Sequence, residues 1–204
     1  MSFDKTIRRL ALVLILILAG SPFIPQWALF MLTIVAGNGL VVLGLMLFLR
    51  AGLISFGQAL FYCAGAYTTG LLALKFNVTE MTLLIVASGI ASGLIAYLLG
   101  FLVARYRGIF FGLLSLAFSM ILYGLLATTE ALGSTDGFNV PAVTIFGWLP
   151  ESDMTRSAVL GMAFLMILIS TSFVNALLKG PRGLLLTAIR DNEIRAEYMG
   201  ASAK

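Results

Sequence analysis

Six long apolar runs separated by short polar connections dominate the chain, at about residues 8–24, 27–49, 52–74, 81–104, 109–127 and 158–178. A helix needs about 20 apolar residues to cross a hydrocarbon core of roughly 30 Å, and each run approaches that length. None of the six holds Asp, Glu, Lys or Arg, apart from Arg8 and Arg9 at the mouth of the first. The pattern predicts an all-α, polytopic membrane helix bundle of about six transmembrane helices, forming a single domain over 1–204. The first run is short and stops at Pro22 and Pro25, where a helix must break. Its Lys5, Arg8 and Arg9, followed by an apolar stretch and Ala19-Gly20-Ser21, also fit a signal peptide. Because a second apolar run follows at once, a retained first span is the better reading.

Composition agrees with a lipid-embedded chain. Of 204 residues, 60% are hydrophobic and 11% charged, against roughly 25% charged in soluble domains. The placement of charge orients the spans. With a cytoplasmic N-terminus and six crossings, all of the 13 Lys and Arg except Lys75 and Arg156 fall inside, the bias that cytoplasmic loops carry. Reading 52–74 as a re-entrant loop would move Arg105 and Arg107 outside, so that run crosses, as a broken helix. The connection at about 128–157 is the long external one. Glu130, Asp136, Glu151 and Asp153 outweigh Arg156 there, and Gly133-Ser134-Thr135-Asp136-Gly137, Pro141 and Pro150 supply turn chemistry. Its length suits either a solvated connection or a segment that gates or meets an external partner.

Candidate chemistry is sparse. Without histidine, imidazole bases and most zinc sites are excluded. Cys63 is the single cysteine, so no intrachain disulfide or cysteine metal cluster can form. The lack of intramembrane Asp, Glu, Lys and Arg beyond Arg8 and Arg9 argues against a proton relay, a voltage sensor and hydrolysis within the bilayer, and leaves open a sodium-coupled route through backbone carbonyls. Ser88, Gly89, Ser92 and Gly93, with Ala96 and Gly100, place small residues four apart for close helix approach. The third run, GLISFGQALFYCAGAYTTG, is different: its Gly, Ser, Gln and Thr residues predict an interrupted helix, tolerated in lipid only where protein or water covers the freed backbone, and such breaks hold transporter substrate sites. Ser55, Gln58 and Thr68 there, Asn38 on the second run, and Ser115 and Ser119 on the fifth form the candidate substrate pathway: individually interhelical contacts, together a mildly polar cavity for a small, largely apolar solute.

Beyond the sixth run, Gly180-Pro181 and Gly183 predict a turn, followed by a helix to about Met199. Leu185, Ala188, Ile189, Asn192, Ala196 and Met199 recur on one weakly apolar face. Asp191 and Arg195 can pair four residues apart, whereas Glu193 and Glu197 repel. This balance of acids and bases suits a protein groove better than an anionic membrane surface.

Here the residues resemble a family. LTAIRDNEIRAEYMGASAK is similar to the cytoplasmic coupling loop of ABC-importer permeases, and most of all to the branched-chain amino acid permeases, M-type subunits of leucine/isoleucine/valine importers. GLISFGQALFYCAGAYTTG, RYRGIFFGLLSLAFSMILYG and LGSTDGFNVP resemble the same family and occur in its order. The resemblance implies that Arg190, Asp191, Asn192, Glu193, Ala196 and Gly200, in a coupling segment spanning 179–204, contact an ATPase. It further implies a bacterial inner-membrane, non-enzymatic permease with cytoplasmic ATPase subunits that bind the ATP, a second permease subunit and an external amino-acid-binding protein. No cofactor, metal or nucleic acid is expected. The chain has no Gly-x-x-x-x-Gly-Lys-Ser/Thr loop of its own. Two departures stand out. Gln58 occupies a position where many relatives carry His, and the family continues with further helices beyond the coupling loop, whereas this sequence stops at Lys204. Urea or short-amide import, a passive channel and a structural membrane subunit remain open alternatives.

Overall fold

The computed structural model describes residues 2–103, 105–106, 108–134, 136–137, 139–145, 147, 152–192 and 198. Among these, the ordered elements are helices: α1 (Ser2–Ala19), α2 (Gln26–Arg50), α3 (Gln58–Lys75), α4 (Met81–Val103), α5 (Ile109–Thr128), α6 (Ser152–Lys179) and α7 (Pro181–Asp191), with 3-10 turns at Ser21–Phe23 and Glu130–Leu132. No sheet forms among the described residues; one isolated bridge joins Glu80 to Thr144. The all-α reading therefore holds. The helices belong to two compact units, one built from α1, α2, α6 and α7 and the other from α3, α4 and α5.

Four helices are long and apolar enough to cross a membrane among the described residues: α2, α4, α5 and the Met154–Lys179 part of α6. The apolar pattern predicts six. The other two runs fold into helices of 18 residues each, or about 27 Å at 1.5 Å per residue. In α1, Asp4, Lys5, Arg8 and Arg9 occupy the first half, which leaves a shorter apolar stretch. In the third run, helix α3 starts only at Gln58, because Leu53–Phe56 adopts no regular structure; the interruption falls at the start of the run.

In the first unit, Pro22 lies in the 3-10 turn and Pro25 caps α2 with extended backbone, so the α1–α2 connection turns where the prolines forbid helix. Leu14, Leu29, Ala36, Leu160 and Phe164 then bury one another, with Leu29 and Leu160 almost fully enclosed. Pro181 is the first residue of α7, and Gly180 caps it. Gly183 is thus a helical residue rather than part of the turn, and α7 ends at Asp191, with Asn192 extended.

In the second unit, α3 packs on α4 through small residues. A Cβ on Gly65 would sit 3.2 Å from Ser92 Oγ, and that hydroxyl donates to the Phe61 carbonyl at 3.3 Å. The rest of the small-residue stripe is open, with nothing within 4 Å of where a Cβ would stand on Gly89, Gly93 or Gly100. Leu83, Val86, Ile90, Leu94, Tyr97, Leu98 and Phe101 are all exposed on α4. A soluble protein rarely leaves such a continuous apolar face in water; lipid accommodates it.

Candidate functional site: an interrupted segment and the cleft beside it

The site begins where α2 ends. Gly52 has φ +75°, a left-handed conformation that glycine adopts without penalty, and the chain leaves the helix there. Leu53–Gly57 then lies directly on α5. Gly112 permits this approach, because a Cβ on it would fall 3.0 Å from the Ile54 carbonyl oxygen and 3.3 Å from the Phe56 ring. Non-helical backbone at membrane depth must find partners, and the hydroxyls of α5 provide them. Phe56 N–H donates to Ser115 Oγ at 3.0 Å, and the Ser115 hydroxyl donates onward to the Gly112 carbonyl at 2.8 Å. Ser119 Oγ lies 3.1 Å from the Ser115 carbonyl and 3.5 Å from that of Phe56. Ser55 is buried, and its hydroxyl accepts from Gly57 N–H at 3.3 Å.

Three of the expected pathway residues, Ser55, Ser115 and Ser119, are therefore drawn together by the interrupted backbone, and their hydroxyls are engaged in holding it. Gln58, the first residue of α3, differs: its Nε2 is buried with no hydrogen-bond partner among the described residues. Thr68 lies further along α3 and donates back to the Ala64 carbonyl at 2.7 Å, the local bond that serine and threonine make inside helices. Asn38 is exposed on α2, a helix of the other unit.

From Ser119, a cleft of about 450 Å³ runs between α3 and α5 toward Ser134. Leu60, Cys63 and Tyr67 form one wall, and Leu122, Tyr123 and Leu126 the other. Its size falls within the roughly 300–1,000 Å³ of small-molecule sites, and its lining residues are uncharged. Apolar walls with hydroxyls at both ends suit a short aliphatic group carrying a polar head. At the far end, Ser134 Oγ donates to the Ala127 carbonyl at 2.6 Å, pinning the connection after α5 to the end of that helix.

A second fastening escaped the sequence reading. Glu80, at the start of α4, accepts from the Thr144 hydroxyl at 3.0 Å and from Gly147 N–H at 3.1 Å, both on Oε2. Main-chain bonds run alongside, from Met81 N to Thr144 O and from Thr144 N to Thr79 O, each 2.8 Å. The long connection is thus tied to α4 some 64 residues upstream.

At the opposite end of the chain, Arg190 and Asp191 form a surface ion pair at 3.3 Å, and Asn192 N–H caps α7 on the Ala188 carbonyl at 3.0 Å. Glu193, Ala196 and Gly200 lie outside the described residues.

Residues 27–204 match the family described as the branched-chain amino acid transport system permease component. The chain is 34% identical over 196 residues to the high-affinity branched-chain amino acid transport system permease protein LivM of Salmonella typhimurium, covering 84% of this chain and 44% of that protein. It is 31% identical over 201 residues to the LivM protein of Escherichia coli, covering 85% and 45%. The chain spans about half the length of these curated relatives. No solved structure matches it. With a match extending from the second helix to Lys204, the chain belongs to the branched-chain amino acid transport permease family.

Proposed function

We propose that this chain acts as the permease subunit of an ATP-driven importer that carries branched-chain amino acids across the bacterial inner membrane. The observation that carries the proposal is the interrupted segment Leu53–Gly57, bound to α5 beside an uncharged cleft of about 450 Å³. Transporters of unrelated folds place solute sites where membrane helices break, because the break supplies polar groups that a continuous helix keeps to itself. Gln58, at the break and next to the cleft residues Ala59 and Leu60, has a buried Nε2 with no hydrogen-bond partner among the described residues, and the aliphatic and aromatic walls of the cleft match a branched side chain.

The energy source lies in other subunits. This sequence has no phosphate-binding loop, and its long apolar runs hold no Asp, Glu, Lys or Arg beyond Arg8 and Arg9. Cytoplasmic ATPase subunits would close on ATP and displace the segment that begins with α7. A second permease subunit would complete the path, and an external binding protein would deliver the amino acid. The distribution of Lys and Arg supports a cytoplasmic N-terminus. The apolar cleft favours leucine, isoleucine or valine over urea, whose surface is almost wholly polar.

The test is uptake into proteoliposomes holding the permease, its partner subunits and the binding protein, with labelled leucine and urea supplied in parallel. Leucine should accumulate only with ATP and a hydrolysis-competent ATPase. Uptake that continues with a hydrolysis-dead ATPase would overturn the proposal.

A further inference from the structure

Helix α7 is held at both ends. At its start, Gly183 presses so closely on α6 that a Cβ there would overlap the Leu178 carbonyl and stand 2.6 Å from Leu178 Cα. This contact and the Gly180-Pro181 elbow leave α7 little freedom to slide along α6. At its other end, the stem of Arg190 lies across Gly52: a Cβ on Gly52 would fall 2.7 Å from Arg190 Cγ and 3.3 Å from its Cβ. Gly52 closes α2 and opens the interrupted segment.

Arg190 thus divides into two working parts. Its guanidinium is spent locally, with Nε and one terminal nitrogen each 3.3 Å from Asp191 Oδ1. The side chains of that pair are 49% and 71% exposed, so the ion pair itself holds little in place. The methylene stem makes the contact between elements, as long cationic side chains do when they cover a surface and leave the charge in water.

We propose that Arg190 is a positioning residue that transmits displacement of α7 to Gly52 through its aliphatic stem, and along the chain to Leu53–Gly57, rather than a charged handle gripped by the ATPase. The idea rests on the importer reading above, in which α7 receives the push. It makes a demand that docking through charge does not: the stem is required and the guanidinium is dispensable. Glycine at position 52 serves the same end, since any side chain there would lift Arg190 away.

The experiment compares Arg190→Met with Arg190→Ala in the complete importer, reconstituted with its ATPase and binding protein. The readouts are leucine transported per ATP hydrolysed and the ATPase recovered with the purified permease. Methionine keeps an unbranched stem without the charge, so transport per ATP should stay within about twofold of the wild type. Alanine removes everything beyond Cβ, and the ratio should fall roughly fivefold or more, within the range seen at coupling positions. The ATPase should co-purify with both variants. If methionine loses coupling as completely as alanine, if alanine loses none, or if either variant sheds the ATPase, the inference is overturned. A wild-type complex that fails to take up leucine on ATP refutes the importer reading itself, and the inference with it.

Discussion

Removing the Glu80 carboxylate should release the long connection from the start of α4. In Glu80→Ala the main-chain bonds through Met81, Thr144 and Thr79 can persist, but Gly147 N–H loses its carboxylate acceptor and the Thr144 hydroxyl is left with the weaker, neutral contact to Thr79 Oγ1 at 3.2 Å. Hydrogen bonds to a charged group contribute about 1.5–3 kcal/mol each. Glu80 is only half-buried, so the two together should contribute at or below the low end for such a pair, about 2–3 kcal/mol in total. Local opening of the segment around Thr144 then becomes roughly 30- to 160-fold more frequent. Hydrogen exchange in lipid nanodiscs reads this directly: the Thr144 and Met81 amides should exchange faster by that factor, while amides in the middle of α5 keep their wild-type rates. Thr144→Val removes only the hydroxyl and should produce a smaller acceleration of the same amides. An unchanged Thr144 rate in Glu80→Ala would show that the main-chain bridge suffices and would refute the assignment of the carboxylate as the fastening.

Two further substitutions probe the interrupted segment. Gly112→Val places bulk where a Cβ already meets the Ile54 carbonyl at 3.0 Å; overpacking of this kind costs about 1–3 kcal/mol, so the protein should insert and purify normally but lose most leucine uptake, and wild-type uptake would sink the proposed role of the segment. Gln58→Met replaces a buried donor that has no partner among the described residues with an apolar side chain of similar length, so the thermal midpoint in detergent should hold or rise while leucine uptake falls; retained uptake would remove Gln58 from the pathway.

The helices were legible because lipid imposes a coarse requirement that composition alone expresses: α2, α4 and α5 begin and end within a residue or two of the apolar runs that encode them. The third run carried a subtler signal. Its glycines and serines announced a break, but where helix resumes depends on Ser115 and Ser119, some 60 residues away. For the same reason, a lone hydroxyl on the fifth run could be nominated as a solute contact, while its engagement with the main chain of Phe56 could not be foreseen. Glu80 shows the converse: an isolated carboxylate in a short connector gives no local sign of partners at Thr144 and Gly147. Gly52 was nearer to legibility, since a glycine just past the end of a helix commonly turns the chain in the left-handed conformation. What the pattern could not contain was Arg190 resting on it from 138 positions downstream (190 − 52). Periodicity encodes which face of a helix is buried; the contacts that would carry force through this protein join segments far apart in the chain, so they become visible only once those segments have folded together.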